Sequence, residues 1–276
     1  MNLSINPRNY IKAAIWEEDR SLLEAIELVA HAGFSHLDLE ACTEQEADEV
    51  AAYTKENGLT IIQSHLPFNR YKREPAEVFH QKLLDYAKNA KRMDSKILVA
   101  HADEFDYRNE VYTTKAALEH NYRVFYDIVD FAAANGMRVA FENTFQEPTM
   151  TVKPHFCALT DDLLALVDRY GTDTVGICWD TGHARVQYGV HDMDALKVVG
   201  EKVICTHVHD NYYDTDLHSY PFTGNINWKA FMETLREIQY KGDFSLEFVY
   251  DHLPNALASD YLKLIHRTAE YMIHSL

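Results

Sequence analysis

Nine side chains suited to holding a metal ion or moving a proton are spread along the 276-residue chain: His65, His101, Glu142, Asp180, His183, His207, Asp216, His218 and Glu247. Most stand at or near the ends of short apolar runs. His65 lies in QSHLPF, His101 in LVAHAD, Glu142 in RVAFENT, Asp180 and His183 in GICWDTGHA, His207 in VICTHVH and Glu247 in DFSLEFV. Asp216 and His218 follow in the polar stretch YYDTDLHSY. Carboxylates gathered away from water raise their pKa values or oppose folding unless a cation neutralises them. A divalent metal is the simplest such cation. Mixed oxygen and imidazole donors suit Mn2+, Zn2+, Mg2+ or Co2+, and additional histidines favour a transition metal.

Taken singly, each residue has an ordinary structural reading. Glu142 or Glu247 could be a salt-bridged rim residue, and His65 or His101 a hydrogen-bonded core histidine. Asp180 and His183 could cap a helix, and Asp216 and His218 could be solvated. Convergence on one place is what would make them a site, and that depends on the elements that carry them.

Short apolar runs alternate with longer amphipathic ones. The strand candidates are Ile11 to Trp16, His36 to Ala41, Thr60 to Pro67, Lys96 to Ala102, Arg138 to Thr144, Val175 to Asp180, Val203 to Asp210 and Asp243 to Val249. The clearest helical patterns are Ser21 to Ala32, Glu44 to Glu56, Ala76 to Arg92, Thr114 to Ala134 and Trp228 to Gln239, with Gly33, Gly58 and Gly136 near helix ends. Eight such pairs predict an α/β fold, a (β/α)8 TIM barrel occupying residues 1–276 as one domain. Its active site would lie at the C-terminal ends of the strands. A doubly wound open sheet is the competing architecture, but no GxGxxG follows the first strand.

Side-chain alternation refines this expectation, because one face of each barrel strand meets the helices and the other fills the interior. Val139 and Phe141 oppose Ala140 and Glu142; Ile177 and Trp179 oppose Gly176, Cys178 and Asp180. Ile204 and Val208 oppose Cys205, His207 and His209; Phe244, Leu246 and Phe248 oppose Ser245 and Glu247. The reading is large apolar residues outward, small ones inward and a ligand type at the inward C-terminal end. His209, further along than His207, is a substrate contact or a support behind the ligands.

The 43 acidic and 26 basic residues give a net charge of −17, which repels polyphosphate at long range. Neither nucleic acid nor an anionic membrane is expected as a partner. Cys42, Cys157, Cys178 and Cys205 form no CxxC pair, which points to reduced thiols and a cytoplasmic location. No stretch reaches about 18 uninterrupted apolar residues, and the N-terminus lacks a basic region followed by an apolar run.

The motifs SHLPF (64–68), FENT (141–144), WDTGHA (179–184), HVHDN (207–211), DLH with GNINW (216–228) and LEF (246–248) run in an order that resembles the xylose isomerase-like TIM barrels. That family includes sugar isomerases and epimerases and the endonuclease IV branch. The resemblance implies that Glu142, Asp180, His207 and Glu247 are the four metal ligands of a mononuclear keto-sugar enzyme, with His183 touching substrate. It also implies that His65, His101, Asp216 and His218 match positions that complete a three-metal cluster in the endonuclease branch. FENTFQEPTM lacks the Gly-rich continuation usual after that branch's glutamate, DTGHA reads like the sugar-enzyme version, and the negative charge argues the same way.

The expected reaction is therefore metal-assisted proton transfer next to a carbonyl, through an enediolate, on a small polyhydroxy ketone or aldehyde. Glu142 and Glu247 would exchange the proton. His183, His65, His101, Trp16 and His209 are the substrate-side candidates, with Phe68 a further apolar wall. Arg185 and Lys229 are the nearby cations for a phosphorylated sugar. Epimerisation, an aldose-ketose shift and dehydration use the same parts, and multi-zinc phosphodiester hydrolysis on abasic DNA and a non-catalytic sugar-binding barrel are the rivals. The oligomeric state is open between a monomer and a homo-oligomer.

Overall fold

The computed structural model describes residues 1–69, 74–104, 112–146, 155–212, 215–248 and 253–276. Eight parallel strands close into a barrel: β1 (Leu3–Ile5), β2 (His36–Asp38), β3 (Thr60–His65), β4 (Ile97–Ala100), β5 (Arg138–Glu142), β6 (Val175–Asp180), β7 (Val203–Val208) and β10 (Phe244–Leu246). β10 pairs with both β7 and β1, which completes the cylinder. An antiparallel hairpin, β8 (Asp210–Tyr212) with β9 (Thr215–Ser219), stands outside the barrel after β7. The helices are α1 (Leu22–His31), α2 (Glu44–Glu56), α3 (Ala76–Arg92), α4 (Thr114–Ala134), α5 (Thr160–Tyr170), α6 (Thr181–Tyr188), α7 (Asp192–Val199), α8 (Trp228–Glu237) and α9 (Asn255–Ser275). Among the described residues no helix is long and apolar enough to cross a membrane.

Local chemistry sets these boundaries. Ser21 begins α1 with a capping box, its side chain accepting from the Glu24 amide while Glu24 answers the Ser21 amide. Thr43 and Thr113 cap α2 and α4 in the same way from one side. Gly58 and Gly136, at φ +67° and +68°, leave the ends of α2 and α4 through the left-handed region where a Cβ would be strained.

The first strand is not Ile11 to Trp16. It is Leu3–Ile5, and Pro7–Tyr10 then forms a 3-10 turn whose start is capped by Asn6. Three residues are too few for a visible alternation. The longer apolar run instead belongs to the loop above the barrel, where Ala13 bridges to Leu253 while Ile15 and Trp16 are 80% and 76% exposed. The last strand is also shorter than expected, ending at Leu246, and Val249 lies outside the described residues. Ser219 and its neighbours, read from sequence as loop, form strand β9.

Alternation holds on β5 and β6, where Val139, Phe141, Ile177 and Trp179 join the core between strands and helices. Strand β7 departs from it. Ile177 pairs with Val203 but Cys178 with Cys205, so Ile204 is an extra residue in a bulge. Ile204 joins Ile97, Val99, Ala140, Cys178 and Cys205 in a second, separate apolar cluster instead of facing the helices. Gly176 on β6 makes room, since a Cβ there would sit 2.6 Å from Ile204 Cγ2.

Candidate metal centre

The upper end of the barrel gathers the nine residues. Asp180 pairs with His207 across β6 and β7, and Glu142 lies one strand over, beside Cys178. Glu247 follows β10, its amide held by the Val208 carbonyl at 3.0 Å. Among the described residues three groups offer ligand atoms that all lie within 4.8 Å of one another: Glu142, Asp180, His207 and Glu247; His65, Glu142 and His207; and His183, Asp216 and His218.

Glu142 is the hub. Its Oε2 lies 3.1 Å from His65 Nε2, 3.2 Å from His101 Nε2 and 3.2 Å from His207 Nδ1. Its Oε1 lies 3.3 Å from His183 Nδ1. His207 Nδ1 also lies 2.8 Å from Glu247 Oε2. On the rim side, Asp216 Oδ2 is 3.5 Å from His183 Nε2 and 3.2 Å from His218 Nε2. His101 contacts Glu142 but joins none of the three groups, and its ring stacks on Phe68 at 5.1 Å.

Each of three imidazoles gives one nitrogen to an anchoring carbonyl and turns the other to a carboxylate. His183 Nδ1 donates to the Asn143 carbonyl at 2.8 Å, His218 Nδ1 to the Glu247 carbonyl at 3.0 Å and His65 Nδ1 to the Leu66 carbonyl at 3.3 Å. His207 turns Nε2 toward Asp38 Oδ2 at 3.3 Å, an oxygen that also receives the Gln63 side-chain amide at 3.1 Å. A ring nitrogen so left faces a carboxylate with its lone pair, which is repulsive unless a proton or a cation lies between them.

Without a cation, protons take that place. Burial opposes a charged ring, yet the hydrogen bond and charge of Glu142 raise His65 from 6.5 to about 9. Burial likewise opposes charge on His218, but Asp216 raises it to about 9. Burial would raise the carboxyls too, and here the imidazoles win: His207 holds Glu142 and Glu247 well below the usual carboxylate range. His183 and His218 do the same for Asp216. Glu142 Oε1, both His207 nitrogens, Asp216 Oδ1 and Glu247 Oε2 are nevertheless buried without a partner in hydrogen-bond geometry. Orphaned oxygens and nitrogens facing one another fit a divalent cation of mixed oxygen and imidazole ligation.

Asp180 also caps α6, its Oδ1 accepting from the His183 amide at 2.6 Å. The cap and the cluster are one arrangement, so the two readings of this pair coincide. His209 is fully buried and turned toward Asp180. Trp16 is largely exposed on the loop after β1. Of the two expected phosphate cations, Arg185 is buried against Asp192 at 2.8 Å, and Lys229 stands on the exposed face of α8, 3.8 Å from Glu233.

Four structuring residues escaped the sequence reading as functional ones. Asp38 stands at the inner end of β2 behind His207. Asn143 clamps Asp180 from both sides, its side chain accepting from the Asp180 amide at 2.7 Å and donating to the carbonyl at 2.9 Å. Asp210 accepts from the amides of Asn211, Phe222, Gly224 and Ile226 and from Trp228 Nε1, at 2.9 to 3.2 Å. Asn211 donates to the Gly182 carbonyl at 2.7 Å. Three of these polar residues directly follow a ligand-type residue or its neighbour in FENT and HVHDN, which is the signal that could have found them.

A model of the xylose isomerase-like TIM barrel family matches residues 23–268, and the chain belongs to that family. An uncharacterized protein of Methanocaldococcus jannaschii, MJ1311, is 28% identical over 170 residues, 59% of this chain and 54% of its own length. The chain thus spans about half the length of that curated relative, and 30% of a second one's. Among solved structures, a D-tagatose 3-epimerase-like protein superposes with a TM-score of 0.78 at 19% identity, covering 99% of this chain and 98% of the other. The IolI protein, whose crystal structure carries a zinc atom, gives a TM-score of 0.73 at 17% identity over 99% and 98%.

Proposed function

We propose that the protein is a divalent-metal-dependent isomerase or epimerase of a small sugar, with Glu142, Asp180, His207 and Glu247 holding the metal. The observation that carries this reading is the set of anchored imidazoles, each presenting its other nitrogen to a carboxylate. Similarity to a D-tagatose 3-epimerase-like protein and to a zinc-carrying relative supports it. A bound divalent cation would supply Lewis-acid polarisation of a substrate carbonyl.

The chain's own residues move the proton. Glu142 and Glu247 come from β5 and from the end of β10, so they reach a sugar carbon from different directions. One removes the proton beside the carbonyl and the other returns it. Return to the opposite face of the same carbon gives an epimer, and return to the adjacent carbon gives an aldose-ketose shift. His183, its Nδ1 committed to the Asn143 carbonyl, presents Nε2 to a substrate hydroxyl or oxyanion. His65 and His101 line the same hub.

In heavy water with a panel of keto-sugars and Mn2+ or Co2+, wild-type protein should wash deuterium into the carbon beside the carbonyl. Glu142→Gln and Glu247→Gln should each slow that exchange roughly 100-fold or more. Near wild-type exchange by either variant with metal bound would overturn the two-carboxylate scheme.

The His183, Asp216 and His218 group favours one second reading, a phosphodiesterase with two or three zinc ions acting on abasic DNA. Elemental analysis and cleavage of an abasic-site duplex separate the two. Two or more tightly held zinc ions with cleavage support the second reading, and one ion without cleavage removes it.

A further inference from the structure

We infer that His209 is the positioning residue that fixes the Asp180 carboxylate in its ligand pose, and that Gly182 is a glycine because His209 needs its place. The inference rests on the metal reading of the previous subsection but concerns a residue outside all three ligand groups.

His209 follows β7 directly and is fully buried. Its Nε2 donates to Asp180 Oδ2 at 3.0 Å. Nδ1 is buried against Gly182, where a Cβ would lie 2.5 Å from it, and the ring belongs to no ligand group, so it is arranged to give one hydrogen bond. The other Asp180 oxygen accepts from the His183 amide at 2.6 Å, so the amide and the imidazole between them set the rotation of the carboxylate. That geometry describes an outer partner orienting a ligand.

The surroundings hold the ring in place. Its backbone is tied to the turn after β6, where the Thr181 hydroxyl donates to the His209 carbonyl at 2.7 Å and accepts from the His209 amide at 3.0 Å. One ring face stacks on His218, centroids 4.0 Å apart and planes 11° off parallel. A Cβ on Gly182 would overlap the ring itself. His218 sits at φ +44°, a conformation unfavourable for a non-glycine residue, and the stack and its bond to the Glu247 carbonyl both brace it there.

The test uses Co2+, titrated into metal-stripped protein and followed by its visible absorption, which reports both affinity and ligand geometry. His209→Phe keeps a ring to stack and removes the donor; it should lower Co2+ affinity roughly tenfold or more and alter the spectrum. His209→Gln restores a donor and should stay within roughly threefold of wild type. Gly182→Ala, which displaces the ring without deleting it, should resemble the Phe variant. Wild-type affinity in His209→Phe, or equal loss in the Gln and Phe variants, would overturn the inference. Wild-type protein that takes up neither Co2+ nor Zn2+ would instead remove the metal reading on which it stands.

Discussion

The floor and the rim of the barrel mouth are built differently. The floor, with Glu142, Asp180 and His207, stands on β5, β6 and β7, and these three side chains are at most 1% exposed. Backbone ladders fix them, and Asn143 and Asp38 aim them from behind. The rim, with Asp216, His218 and Glu247, stands on the β8–β9 hairpin and just past β10, is partly exposed and carries a residue at positive φ. It is ordered by the β8–β9 pairing, by the His218 bond to the Glu247 carbonyl and by one buried carboxylate, Asp210, gathering donors from the segment between Phe222 and Trp228. Floor chemistry is therefore fixed by the barrel, whereas rim chemistry hangs on a hairpin and on the loop that Asp210 latches.

The sharpest way to break that contrast is at the latch. Asp210→Ala leaves five donors, three of them buried, without their acceptor and should cost about 4 kcal/mol in urea unfolding. The rim should lose its order first, read as faster hydrogen exchange at Phe222, Gly224 and Ile226 than at β6 amides. Uniform loss across the barrel would erase the distinction.

A smaller effect is expected at the floor. Asp38→Asn removes the charge behind His207 while keeping the volume, and should weaken Co2+ or Zn2+ binding roughly 10- to 100-fold with the fold intact. Unchanged affinity would mean that the strand alone orients the ring.

Acidity should treat the two regions alike. His65 on the floor and His218 on the rim are both raised from 6.5 to about 9 without a metal. Their contribution to metal-free stability is thus fully present below pH 6.5 and is lost as pH rises through about 9. Metal displaces the same protons, so its affinity should climb over that window. Thermal melts of the stripped protein and competition titrations at pH 6, 7.5 and 9 check both signs.

The smallest change concerns the part of the rim that no latch reaches. Trp16→Ala, at an exposed position, should move stability by no more than about 0.5 kcal/mol. A larger loss would show the loop after β1 to be packed.

Much of this was legible beforehand. Strands of four to six residues with a large-out, small-in alternation, such as β5 and β6, announce both themselves and the face of the residue at their end. Helices α2, α3 and α4 fall at the expected residues because threonine caps, a proline and terminal glycines mark them. The short β1 was invisible, since its pairing with β10 and β2 and not its own pattern makes it a strand. The hairpin β8–β9 looked like a polar loop because its pairing is made outside the core. Gathering the side chains at the ends of barrel strands needed only a closed barrel, whereas Asp216 and His218 arrive on the hairpin. Their orientation did not follow, because it is set by carbonyls of Asn143 and Glu247 and by buried partners such as Asp38 and His209, contacts between residues distant in sequence.

The additional residue on β7 has a consequence reaching well beyond its own packing. Val203 faces the helices, and strict pleating from there would send Cys205, His207 and His209 the same way. The inserted Ile204 reverses that phase one turn of the pleat below the mouth. Were Ile204 taken into the ladder as a regular pair instead of bulging, two imidazoles would turn into the greasy outer layer, so one irregular step of pairing decides which way the chemistry of this strand faces.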